Sequence, residues 1–148
     1  MKIETSGFGS LDIQPDQVIR FPESLPGFPE QLKFALVSTG ERSPFKFLQS
    51  LGDPSLAITI GEASALVPGY KPSVLPEEIE PLRIEEQDRV EIFIVTVVPE
   101  NPRESTVNLQ APVLINRTKR VGKQVVLQND SYPLRYRLFD DNKKAACR

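Results

Sequence analysis

Histidine is missing from this chain of 148 residues, and its single cysteine, Cys147, lies one residue from the end. Every catalytic triad that needs an imidazole is thereby excluded, as are a thiol nucleophile held in a cleft and the Cys/His sets of structural zinc sites. A disulfide within the chain is impossible, which fits a reducing compartment. No stretch approaches the ~20 apolar residues of a membrane-spanning helix, and the first seven residues have no apolar run of the kind that opens a secretory signal. These absences lead to the expectation of a soluble, cytoplasmic protein with no metal, no cofactor and no membrane partner.

What is plentiful is proline, 14 residues against 8 glycines, about twice the usual share of roughly 5%. Prolines interrupt helices and central strands, so the elements must be short. Long bundles and coiled coils are disfavoured. The length suits one domain with one core.

Strand periodicity dominates. Short apolar stretches occur at Leu11–Gln14, Val18–Phe21, Phe34–Val37, Phe45–Gln49 and Leu56–Ile60. The longest run, Val90–Val98, is β-branched almost throughout and reads as a central strand covered on both faces. Further strands are expected at Thr106–Leu109, Pro112–Asn116 and Gln124–Gln128. Tyr132, Leu134, Tyr136 and Leu138 alternate as in a half-buried strand. Helical signals are confined to one turn near Glu62–Leu66 and a short start at Pro76-Glu77-Glu78, which Pro81 should break. Ile79 and Leu82 are spaced to pack on the body. The pattern predicts an all-β fold, a small antiparallel barrel or barrel-like sandwich with one or two short helical turns, over residues 1–139. Residues 140–148 read as a flexible tail.

The net charge is only −2, but it is unevenly spread. Residues 1–116 carry 17 acidic and 9 basic side chains, net −8; residues 117–148 carry 3 and 9, net +6. The acids concentrate at Glu77, Glu78, Glu80, Glu85, Glu86, Asp88 and Glu91. A solvated surface explains both ends; an acidic body meeting a basic protein, or a basic end following phosphates, are the functional readings.

Three clusters stand out. In Phe21-Pro22-Glu23-Ser24-Leu25-Pro26-Gly27-Phe28-Pro29, prolines stiffen the loop, Gly27 permits a positive φ, and Phe21, Leu25 and Phe28 can plug a core or present an anchor. In Pro44–Pro54, Phe45 and Phe47 share one strand face and Lys46 and Leu48 the other. Phe45, Leu48, Gln49 and Asp53 there are candidate partner contacts, with core and tight turn as the plain alternative. In Thr106–Asn116, a buried Asn108 needs partners because an unpaired amide costs roughly 1–3 kcal/mol, so it is expected to brace backbone.

Catalysis finds little support. Glu77/Glu78 and Glu85/Glu86 are adjacent pairs whose side chains diverge, and Gly7-Phe8-Gly9 lacks the spacing of a phosphate loop.

Taken in order, Phe21-Pro22, Leu25-Pro26-Gly27-Phe28, Pro44-Phe45, Leu48-Gln49-Ser50, Asp53-Pro54, Thr106–Leu109, Ala111-Pro112, Asn116, Gly122 and Gln124 resemble the FliW family of flagellar assembly factors. The resemblance implies a non-enzymatic β-barrel that binds flagellin and the RNA-binding translational regulator CsrA. Binding CsrA lifts its repression of the flagellin messenger, by allostery rather than by plugging the RNA site, and newly made flagellin competes. On that basis Pro26, Gly27, Phe28, Asn108, Pro112 and Asn116 are expected to be structural. Glu77, Glu78, Glu80, Glu85 and Glu86 are expected to set the field facing CsrA. The protein itself should be a monomer without direct nucleic-acid binding. The alternative is a direct RNA-binding barrel using Arg117–Lys123 and the tail, with Tyr132 and Tyr136 as stacking surfaces.

Overall fold

The β-branched run at the centre of the sequence forms the longest strand of the computed structural model, which describes residues 1–38, 40, 43–128 and 132–139. Among these residues the strands are β1 (Lys2–Thr5), β2 (Gly9–Asp12), β3 (Val18–Arg20), β4 (Lys33–Ser38), β5 (Phe45–Ser50) and β6 (Ala57–Glu62). They continue as β7 (Val90–Val97), β8 (Thr106–Val107), β9 (Val113–Asn116), β10 (Val121–Gln124) and β11 (Tyr136–Arg137). Two single-turn helices, α1 (Ala63–Leu66) and α2 (Pro76–Ile79), fall where sequence placed them, and α2 tightens into a 3-10 turn over Glu80–Leu82 at Pro81.

Seven strands close a barrel in the ring order β3, β4, β5, β6, β7, β9, β10. Every neighbouring pair in the ring is antiparallel except β10 and β3, which join in parallel at Val121 and Arg20. An odd number of strands cannot alternate direction around a closed ring, so one parallel contact is a geometric necessity. The expected small antiparallel barrel is thus present, closed by that one parallel seam. The β1–β2 hairpin lies outside the ring, while β8 and β11 extend it from the C-terminal end of β7.

Alternation along each strand sends one set of side chains inward. Ile19, Phe34, Leu36, Leu48, Ile60, Phe93, Val113 and Ile115 fill the barrel together with Phe21 and Leu25 from the loop after β3. Phe21 and Phe34 meet edge to face with centroids 5.5 Å apart. The outward residues of β7 are covered too. Ile94 packs with Ala63, Val107 and Leu109 under Tyr70 and Tyr132. Ile92 also borders a third cluster of Leu82, Leu114, Val121 and Val125. This explains why β7 reads as a continuous apolar run.

Two strands differ from their expected spans. The predicted Gln124–Gln128 strand is Val121–Gln124; the chain beyond it leaves the ladder, tied by Val125 N–H to Pro112 (2.9 Å) and Leu127 N–H to Gln110 (2.8 Å). The predicted Tyr132–Leu138 strand shrinks to Tyr136–Arg137 because Pro133 offers no N–H and the chain bends at Leu134, leaving that side chain 55% exposed. Residues 140–148, read as a tail, lie outside the described residues. The β1–β2 hairpin turning through Gly7 was missed except for part of β2.

Candidate protein-interaction surface

The acidic segment is pinned to the barrel by apolar residues three apart. Leu82 is fully buried against Val121 and Val125, and Ile79 packs beside it. The carboxylates therefore turn outward: Glu77, Glu80, Glu85 and Glu86 are exposed and Glu78 is half-buried. Leu75 and Ile84 flank them at 44% and 41% exposure. Glu85 is paired with Lys119, whereas Glu77, Glu78, Glu80 and Glu86 make no ion pair among the described residues.

Beneath this segment lies a polar knot centred on Asn116, which is completely buried. Its amide nitrogen donates to the Leu82 carbonyl (3.0 Å) and to Asp88 Oδ2 (2.9 Å). Its oxygen accepts from the backbone N–H groups of Thr118 (3.1 Å) and Lys119 (3.2 Å). Lys119 Nζ then reaches Asp88 (2.5 Å), Glu85 (2.6 Å) and the Arg83 carbonyl (2.7 Å). The Lys119 ammonium, the Asn116 amide and the Glu85 N–H together lower the Asp88 pKa to about 2. The same contacts, Asp88 first and Glu85 second, raise that of Lys119.

The knot also disposes of the basic stretch. Arg117 pairs with Glu91 at 2.7 Å, Lys123 donates to the Glu78 carbonyl (2.7 Å) and sits 3.5 Å from Glu23, and Arg120 donates to the Pro15 carbonyl (2.8 Å). The charges that separate along the sequence are thus folded against one another. Tyr132 and Tyr136 pack in the outer cluster of β7, Tyr132 edge to face with Tyr70 at 4.7 Å. Neither ring is a free stacking platform.

Of the four candidates near β5, Leu48 and Gln49 are fully buried and present no side chain to a partner in this conformation. Leu48 faces the barrel interior. Gln49 Nε2 donates to the carbonyls of Ser50, Asp53 and Pro54 at 3.1–3.4 Å, holding the turn, while its Oε1 has no partner among the described residues. The Asp53 carboxylate accepts from the Ser55 hydroxyl (2.7 Å) and N–H (2.9 Å), which lowers its pKa. Phe45 and Asp53 stay half-buried. The hairpin covers the neighbouring face, with Phe8 edge to face on Phe47 at 4.8 Å and Ser6 N–H donating to Pro54 (2.8 Å).

The remaining structural candidates lie at the same end of the barrel as the Asp53-Pro54 turn, beside the start of β6 and the end of β7. Leu25 bridges back to Phe28 around Gly27, whose φ is +90°, and buries itself while Phe28 stays 38% exposed. Asn108 Oδ1 accepts from Gln110 N–H (2.9 Å), so it braces its own turn, and Pro112 is buried. A cleft of about 570 Å³ opens there, lined among others by Phe28, Ile58, Thr59, Val97 and Asn108.

A model of the FliW protein family matches residues 2–138. The chain belongs to the FliW family. Flagellar assembly factor FliW of Desulfitobacterium hafniense (strain Y51) is 36% identical over 143 residues, covering 97% of this chain and 94% of that protein. The FliW of Heliobacterium modesticaldum is 39% identical over 139 residues (94% and 91%), and that of Leptospira interrogans 37% over 141 residues (95% and 94%). A crystal structure of the flagellar assembly factor FliW superposes with a TM-score of 0.86 at 36% identity, over 95% of this chain and 98% of that one. The FliW resemblance in the sequence therefore holds for family and fold alike. Sequence reasoning missed two site features. One was Asp88 as the anion of the knot, signalled only by its place at the end of an acidic turn. The other was the cleft, whose opening depends on strand register.

Proposed function

We propose that this FliW-family chain serves flagellar assembly by binding CsrA and flagellin in alternation, so that flagellin synthesis follows flagellin export. The observation that carries the reading is the agreement of length and fold with FliW proteins combined with an outward acidic ridge. Glu77, Glu80 and Glu86 stand exposed and unpaired beside Leu75 and Ile84, while Arg117, Lys119, Arg120 and Lys123 are held by carboxylates or backbone carbonyls of the protein itself. Such a ridge accelerates encounter with a basic RNA-binding protein, and its apolar flanks lengthen the complex's lifetime.

The test is surface-plasmon kinetics with CsrA at two salt concentrations. Reversing Glu77, Glu80 and Glu86 to lysine lowers the association rate by about tenfold at low salt and by less at high salt. Unchanged rates at low salt remove the acidic ridge from the mechanism. Pull-down from flagellated cells should return CsrA and flagellin in separate complexes. The alternative is direct RNA binding, against which titration of the isolated protein with RNA should give no tight, steeply salt-dependent complex.

A further inference from the structure

The cleft beside Phe28 is the open mouth of the barrel interior. Three residues of the central core, Leu25, Leu48 and Val113, line it, together with Leu56, Ile58 and Val95, which pack on that core half-buried. They meet there because β5, β7 and β10 finish at this end while β6 and β9 begin at it. The loop after β3 bounds one side. It turns at Gly27 (φ +90°), and Phe28 N–H donates to Leu25 (2.9 Å), which keeps the Phe28 ring at the rim, 38% exposed. A volume of about 570 Å³ at a barrel mouth is the usual size and place of a small-molecule site.

No ionisable side chain lines the cleft, but two side-chain amides do. Asn108 Oδ1 accepts from Gln110 N–H, so its Nδ2 is the end left over, with no partner among the described residues. Gln124 Nε2 donates to the Ala111 carbonyl (3.0 Å), so its Oε1 is left over in the same way. Those backbone partners fix the orientation of both amides, since exchanging oxygen and nitrogen would set like against like. Neither spare atom is sealed from solvent. Both belong to one wall: Asn108 starts the turn that ends at Ala111, and Gln124 is anchored on Ala111 itself. One donor and one acceptor thus stand together in an otherwise apolar, uncharged recess.

We propose that the barrel mouth binds a small uncharged cyclic amide, a lactam or diketopiperazine ring bearing an apolar substituent. The ring carbonyl accepts from Asn108 Nδ2 and the ring N–H donates to Gln124 Oε1. A donor and an acceptor on one wall call for a C=O and an N–H on the same edge of the ligand. A trans amide directs those groups to opposite sides, whereas a ring holds its amide cis. The apolar substituent covers Ile58 and Val95 on the floor, and the flat ring lies beside Phe28. Absence of charge follows from the lining, because an ion taken out of water there would find no counter-ion. The site is separate from the acidic ridge, which is tied to the opposite end of β9 through Asn116 and the Leu82 carbonyl.

The experiment titrates the full chain, labelled with nitrogen-15, with the diketopiperazine of glycine and leucine, and follows the side-chain amide signals of Asn108 and Gln124 by NMR. Two controls keep the same apolar bulk: linear glycyl-leucine, which is a zwitterion with a trans amide, and the ring methylated on both nitrogens, which cannot donate. The ring shifts both signals to saturation with a Kd of about 1 mM or tighter, and each control binds about tenfold more weakly or worse. The variant Asn108→Asp keeps the oxygen that holds Gln110 and replaces the donor by a charge; it weakens the ring about tenfold or more at an unchanged thermal midpoint. If that variant fails to fold, the methylated ring on the native protein decides alone. No saturable shift, shifts confined to another surface, equal affinity of either control, or undiminished binding to folded Asn108→Asp would each overturn the proposal.

Discussion

Asn116 spends all four of its hydrogen-bonding positions inside the protein, two as donor and two as acceptor. Replacing it by alanine strands the Leu82 carbonyl and two backbone N–H groups and leaves Asp88 with fewer donors. The expected loss is about 2–3 kcal/mol, read as a lower urea midpoint with unchanged slope. Asp88 makes the knot sensitive to acid. Its pKa is about 2 in the folded protein, held down by Lys119, Asn116 and the Glu85 N–H, against roughly 3.9 in an unfolded chain. A depressed carboxylate contributes its full stability above the unfolded value and loses it as the carboxylate is protonated. Urea midpoints of the native protein should therefore fall relative to Asp88→Asn between about pH 4 and pH 2, and level off below. A gap between the two that stays constant through that window would show that Asp88 is not the group responsible. Lys119 is the counterpart at high pH: its raised pKa means its contribution is present through neutrality and is lost only in strong alkali.

At the scale of elements, β10 packs tightly against the loop after β3. A Cβ on Gly122 would sit 2.7 Å from the ring of Phe21, which is itself fully buried. Gly122→Ala should cost about 1–3 kcal/mol through overpacking at the parallel seam, seen as a lower thermal midpoint. Leu82 anchors the acidic turn, and Leu82→Ala should cost about 2–5 kcal/mol while raising amide exchange across Glu77–Asp88 before the barrel itself opens. Much of this was legible in sequence. The helix start at Pro76, its interruption at Pro81 and the Ile79/Leu82 spacing follow from local backbone chemistry. So does the doubly covered β7. The overlong Tyr132–Leu138 strand shows the limit: alternation alone suggested four inward side chains, but Pro133 and the bend at Leu134 let only three pack.

Across the whole molecule, the fold reorganises charge. A sequence with an acidic body and a basic end becomes a surface on which Arg117, Lys119 and Lys123 bind carboxylates, leaving the ridge at Glu77, Glu80 and Glu86 as the unpaired field. The predicted fall in association rate on charge reversal belongs to this scale, because steering depends on summed potential rather than on one contact. Composition, proline spacing and alternation pointed to an all-β barrel, and the ordered motifs from Phe21-Pro22 to Gln124 carried the resemblance to the FliW family, since those features act on each residue and its chain neighbours. Three-dimensional closure was needed to bury Leu48 and Gln49 and to tie Lys119 to Asp88. Each of these depends on how segments distant in sequence are brought together, and a one-residue shift in the register of β5 would have exchanged the faces taken by Leu48 and Gln49.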